Sequence, residues 1–88
     1  MNDKLILGSL ALDLKRAALG FYRGSYVMAE RFLHEAITRK KEYKNINLQP
    51  YIVKILNQIE ELKVQPKEEI AEQALMYSTL IQNYVLQA

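Results

Sequence analysis

The sequence predicts an all-α protein, a small helical bundle in which a long N-terminal helix is followed by a two-helix hairpin. Apolar residues recur at helical spacing in every segment long enough to judge, and no run has the alternation typical of a strand. Half of the residues are apolar and a quarter are charged, which is the composition of an ordered globular protein. We expect one helical domain, 1–88, with helices over about 4–43, 50–63 and 66–87.

The first predicted helix contains no proline and only one cluster of turn residues, "YRGS" at 22–25. An apolar stripe crosses that cluster without a change of phase: Leu7, Leu10, Leu14, Ala17, Phe21, Ser25, Met28 and Phe32. We therefore expect one continuous helix of about 60 Å, with Gly20 and Gly24 as the points where it can kink. The alternative is a break, in which Gly24 ends one helix, Ser25 caps the next and four segments close a monomeric bundle.

A second apolar row on the same helix repeats every seven residues, and it predicts association between two copies of the chain. Two further helices of about 14 and 22 residues cannot cover a helix of 40 residues or both of its apolar rows. The chain also has no cysteine that could stabilise a small domain through disulfides or a zinc site. The predicted homodimer interface consists of Leu5, Leu12, Leu19, Tyr26 and Leu33, with Gly20 and Gly24 allowing close approach.

Two prolines mark the starts of the later helices, because proline suits the first helical position. From Pro50, the residues Ile52, Ile55, Leu56, Ile59 and Leu62 fall on one face. After Pro66, Glu68 and Glu69 occupy the first turn, where negative charge complements the helix dipole. About two residues separate the two helices, which predicts a tight hairpin.

His34 is the only histidine, and Arg31 lies one helical turn before it. An Arg/His pair on an all-helical protein resembles the site of HEPN-type ribonucleases, which implies that His34 is a general acid/base and that Arg31 orients a phosphate. The motif of that family has four to six residues between the pair, whereas "RFLH" has two. By phase His34 lies opposite the main apolar stripe, which favours a solvent-exposed histidine on an ion-paired helix.

Neither a metal site nor a cofactor is expected, since one histidine and no cysteine are available and the chain has no phosphate-binding loop or nucleophile motif. The basic segment "TRKKEYK", 38–44, is the best candidate for a nucleic-acid contact. The predicted contact consists of four basic residues of this segment together with one from earlier in the helix, Arg31: Arg39, Lys40, Lys41 and Lys44. Cations in the last turn of a helix also offset the helix dipole, so the same segment has a structural explanation.

The apolar stretch "LILGSLAL" ends at Asp13 after eight residues, short of the roughly 20 that a membrane-spanning helix needs. We expect no membrane segment, no signal peptide and a cytoplasmic location. The favoured function is a non-catalytic protein interaction, scaffold or regulatory module that acts as a homodimer. The alternatives are a nucleic-acid-binding module that uses 38–44 and, less favoured, a ribonuclease with a site at Arg31 and His34.

Overall fold

The computed structural model of the protein describes residues 3–43 and 48–87, which form an all-helical bundle without a strand in those ranges. The predicted all-α class and the helical bundle are thereby confirmed. The helices are α1 (Asp3–Arg23), α2 (Tyr26–Glu42), α3 (Pro50–Ile59) and α4 (Lys67–Gln87), and a 3₁₀ segment, Leu62–Val64, precedes α4. The bundle measures about 36 by 20 by 19 Å.

The prediction of one continuous helix over 4–43 is wrong, because the chain breaks between α1 and α2. Gly24 adopts a φ of 77°, in the left-handed region that glycine enters without steric cost. The Ser25 amide donates to the Gly20 carbonyl at 2.8 Å, and the Gly24 amide donates to the Phe21 carbonyl at 3.3 Å. This pair of hydrogen bonds is a Schellman motif, which satisfies the last carbonyls of α1. Ser25 stands at the N-cap of α2, but its side chain makes no capping hydrogen bond.

The turn folds α2 back along α1, and glycine permits the close approach of the two helices. A β-carbon built on Gly20 would lie 2.8 Å from the Ala29 β-carbon, closer than side-chain atoms can pack. Further along the pair, Arg39 of α2 contacts Asp13 of α1. The two helices are therefore antiparallel. Gly20 serves packing within one chain, and Gly24 serves the turn, so the structure assigns both predicted interface glycines to the α1–α2 corner.

The four helices alternate in direction around α1, which contacts α4 and α2. The Ser78 hydroxyl of α4 donates to the Ala11 carbonyl of α1 at 2.8 Å, and both residues are buried. In the α3–α4 hairpin, Tyr77 donates to Gln58 at 3.2 Å, and the rings of Tyr51 and Tyr84 meet edge to face at 6.1 Å. The arrangement is an up-down-up-down bundle.

Pro50 occupies the first helical position as the sequence predicts, whereas Pro66 stands one residue before its helix, and the helix that follows Pro50 is shorter than predicted. Pro50 is the first residue of α3, which ends at Ile59 and not near residue 63. Pro66 directly precedes α4, and its carbonyl accepts the Ile70 amide at 2.9 Å. With 10 residues against 21, α3 covers about half the length of α4. The fourth position of the bundle is therefore only partly filled by a helix.

Candidate functional site

The predicted interface row is divided by the turn at Gly24. Leu5, Leu12 and Leu19 lie along the solvent side of α1 and are 67%, 45% and 37% exposed. Tyr26 is exposed at the start of α2, whereas Leu33 is only 4% exposed and belongs to the core. We call the three residues Leu5, Leu12 and Leu19 the leucine row. It is an apolar strip on a helix whose opposite face is already buried.

Four cations surround the leucine row. Lys4, Lys15, Arg16 and Arg23 are exposed on α1. The acidic residue in the middle of the helix, Asp13, is buried against α2 and contributes no charge to that side. The solvent side of α1 is thus apolar in its centre and basic at its margins, which is a common composition for a protein-binding surface.

The basic segment is partly used within the fold. The Arg39 Nε donates to the Asp13 Oδ2 at 2.8 Å, and the Lys40 Nζ lies 3.6 Å from the Glu60 Oε1. Lys41 is exposed, and Lys44 lies outside the described residues. These ion pairs explain why cations accumulate at the end of α2: two of them connect that helix to α1 and to the end of α3.

Arg31 and His34 are both exposed, but they border different surfaces of α2. Arg31 borders a shallow depression at the α1–α2 turn, together with Val27 and Met28. His34 borders a deeper cavity on the side of α2 that faces the start of α4. The two side chains line different depressions of the surface, and neither the depression at Arg31 nor the cavity beside His34 is lined by both.

The cavity beside His34 has a volume of about 310 Å³ and is the candidate ligand site of the described chain. Its floor is apolar and comes from three helices: Phe21, Leu33, Ile37 and Ile70. Its rim is polar: Glu30 and His34 from α2, and Lys63, Gln65 and Lys67 from the segment that leads into α4. This site is not apparent from the sequence. Its two rims are about 30 positions apart in the chain, and no local pattern indicates that they meet.

The described ranges contain neither a group of side chains placed to bind a metal ion nor a helix able to cross a membrane. Among residues 3–43 and 48–87, no three acidic or histidine side chains are placed to hold a metal ion. Within the same ranges, every helix is too short or too polar to cross a membrane.

Comparisons with protein-family models, with curated proteins and with solved structures find no match to this chain. The leucine row, the basic segment and the cavity therefore have to be interpreted from their own chemistry.

Proposed function

We propose that this protein is a non-catalytic protein interaction module that acts as a homodimer through the leucine row. The observation that carries the proposal is the exposure of Leu5, Leu12 and Leu19 on one side of a helix whose other side is fully packed. Water-exposed leucines at a seven-residue repeat form a strip that a second helix can cover along its whole length. Such a strip on the surface of a small domain is characteristic of a contact site.

The free energy gained by covering the leucine row decides how stable a dimer to expect. Burying a leucine side chain completely contributes about 1.5–3 kcal/mol. In a two-fold dimer six leucines are covered, and because each is already half-buried they contribute about 5–9 kcal/mol together. Association costs about 4–15 kcal/mol in lost freedom of motion. Because the gain and the cost are of similar size, we expect a weak dimer that dissociates on dilution.

Charge favours an antiparallel arrangement of the two copies of α1. In a parallel pair each exposed cation of α1 lies level with its own copy in the partner. In an antiparallel pair centred on Leu12, Leu5 of one protomer lies opposite Leu19 of the other. Lys4, Lys15 and Arg16 then lie level with positions 20, 9 and 8, none of which is basic. Lys4 of one protomer is then offset by three positions, about 4.5 Å along the axis, from Arg23 of the other, so like charges are less closely aligned than in a parallel pair, and all three leucines are paired.

The test is the mass in solution, measured by light scattering over a dilution series for the natural chain and two variants. We expect twice 10.2 kDa at high concentration and a lower mass on dilution. Leu19→Glu should be monomeric at all concentrations, because in each half of the contact it places a carboxylate opposite an apolar leucine. Leu80→Glu is the matched control, since Leu80 of α4 is 38% exposed against 37% for Leu19. Its dimer should be unchanged.

Circular dichroism of each variant establishes that the helices are intact. A natural chain that stays monomeric at millimolar concentration would refute the homodimer, and an unchanged dimer of Leu19→Glu would refute this interface.

A further inference from the structure

The cavity beside His34 lies where the bundle lacks a full fourth helix. α3 ends at Ile59, level with the middle of α4, where Gln58 meets Tyr77. Beyond that point the 3₁₀ segment Leu62–Val64 and the link into α4 take its place. A 3₁₀ segment of three residues cannot fill the groove between α2 and α4 as a helix would. The core residues beneath it therefore form the floor of an open cavity.

The cavity floor is suited to an apolar group. Phe21, Leu33, Ile37 and Ile70 are each less than a tenth exposed, and they come from α1, α2 and α4. Because three helices fix these side chains, the floor is formed before any ligand arrives. A volume of about 310 Å³ is at the lower end for ligand sites and corresponds to about ten atoms of the size of a water molecule.

The cavity rim carries an excess of positive charge. Lys63 and Lys67 stand on one side, and Glu30 with His34 stands on the other. Neither lysine forms an ion pair with a described carboxylate. The Lys67 ammonium lies 3.8 Å from the centre of the Tyr26 ring, a cation–π contact that restricts its motion. The Tyr26 ring in turn lies 6.1 Å from that of Phe21.

From this combination we propose that the cavity binds a small amphipathic carboxylate, with its apolar body on the floor and its carboxylate between Lys63 and Lys67. An apolar floor and two ammonium groups that form no ion pair with a described carboxylate fit the two ends of such a molecule. A neutral molecule of the same length would gain no charge-assisted contact with the ammonium groups, and a cation would be repelled by them. A body of about eight carbon atoms matches a cavity volume of about 310 Å³.

This proposal is independent of the dimer. Phe21 belongs to the buried face of α1, and the leucine row occupies the opposite face. The monomeric variant Leu19→Glu should therefore bind the same ligand as the natural chain, and failure of either proposal leaves the other intact.

The experiment is a calorimetric titration of the full chain with octanoate, octanol and octyltrimethylammonium, each below its aggregation concentration. We expect one octanoate per chain and weaker binding of the other two. Lys67→Gln and Lys63→Gln should each weaken octanoate binding about tenfold, since one of two charge-assisted contacts is lost. Lys54→Gln is the matched control, because Lys54 is an exposed lysine of α3 that does not border the cavity.

A further variant, Ile37→Phe, adds volume to the floor and should abolish octanoate binding while both lysines stay in place. Absence of octanoate binding up to its aggregation concentration would overturn the proposal. Equal binding of octanol and octanoate would show that the lysines do not contribute to binding. Stronger binding of octyltrimethylammonium than of octanoate would show that Glu30 determines the charge preference of the cavity, and either result would overturn the proposed carboxylate site. Equal weakening by Lys54→Gln and Lys67→Gln would indicate general charge attraction and would also overturn the site.

Discussion

Gly20 of α1 lies directly against Ala29 of α2, so closely that a β-carbon at position 20 would meet the Ala29 β-carbon at 2.8 Å. The Cα and the amide nitrogen of Ala29 would also be within 3.3 Å of that atom. Because backbone atoms are among the neighbours, a side-chain rotation cannot relieve the contact. The distance between α1 and α2 is therefore set by a glycine and an alanine together.

Gly20→Ala should destabilise the protein by about 1–3 kcal/mol, because the added methyl group forces the two helices apart. Gly8→Ala is the control on the same helix, where nothing lies within 4 Å of an added β-carbon. That variant should stabilise the protein by up to about 1 kcal/mol, the helix propensity that glycine lacks. Urea unfolding of both variants measures the difference. Loss of stability in both, to the same extent, would contradict the close contact at Gly20.

The contact between Gly20 and Ala29 also explains why the sequence predicts one helix over 4–43 where the structure has α1 and α2. The stripe that crosses the turn contains Met28, which is exposed, and Phe32, which is only partly buried. The core residues of α2 form a different stripe, one position further on: Ala29, Leu33, Ala36 and Ile37. Two overlapping stripes are present in the sequence, and periodicity alone does not decide between them. The decision comes from tertiary packing, in which alanines fit where α2 approaches Gly20.

Other parts of the fold depend on local chemistry, and the sequence predicts them well. Pro50 begins α3, and Glu68 and Glu69 occupy the first turn of α4. Each of these signals acts within one helical turn, so no knowledge of the fold is needed to read it. The cavity depends on elements distant in sequence, and its lysines look like ordinary surface residues until the 3₁₀ segment is placed beside α2.

Asp13 and Arg39 form the second contact that the sequence does not indicate. Their side chains meet at 2.8 Å although 26 positions separate them. The Asp13 side chain is 6% exposed and that of Arg39 is 46% exposed, so the carboxylate depends on Arg39 more than the guanidinium depends on Asp13. Arg39, predicted as a nucleic-acid contact, thus has a structural role between α1 and α2.

Arg39→Ala should destabilise the protein by about 1–3 kcal/mol, because it leaves the Asp13 carboxylate buried without its charged partner. Lys41→Ala removes the same charge from the same turn of α2, at an exposed position, and should change stability by less than about 0.5 kcal/mol. Thermal and urea unfolding of the two variants measure the contrast. If both variants keep the stability of the natural chain, the Asp13–Arg39 pair does not contribute to the fold.

Nucleic-acid binding by the basic segment can be separated from this structural role. If the segment binds phosphates, Lys41→Ala should weaken the affinity for duplex DNA or single-stranded RNA without loss of stability. The affinity of the natural chain should fall steeply as salt is added, and the variant should show a smaller slope. Fluorescence anisotropy at several salt concentrations measures both quantities. Absence of binding at low salt would exclude the nucleic-acid alternative.

The orientation of the two α1 helices in the proposed dimer can be tested by disulfide trapping, because the natural chain has no cysteine. In the antiparallel arrangement Leu12→Cys lies opposite its own copy and should form a covalent dimer on mild oxidation. Leu5→Cys lies 14 residues along the axis from its copy, about 21 Å, which is beyond disulfide reach. It should form a covalent dimer only when mixed with Leu19→Cys. Non-reducing electrophoresis shows the products, and rapid self-linking of Leu5→Cys with no mixed product would mean that the helices are parallel.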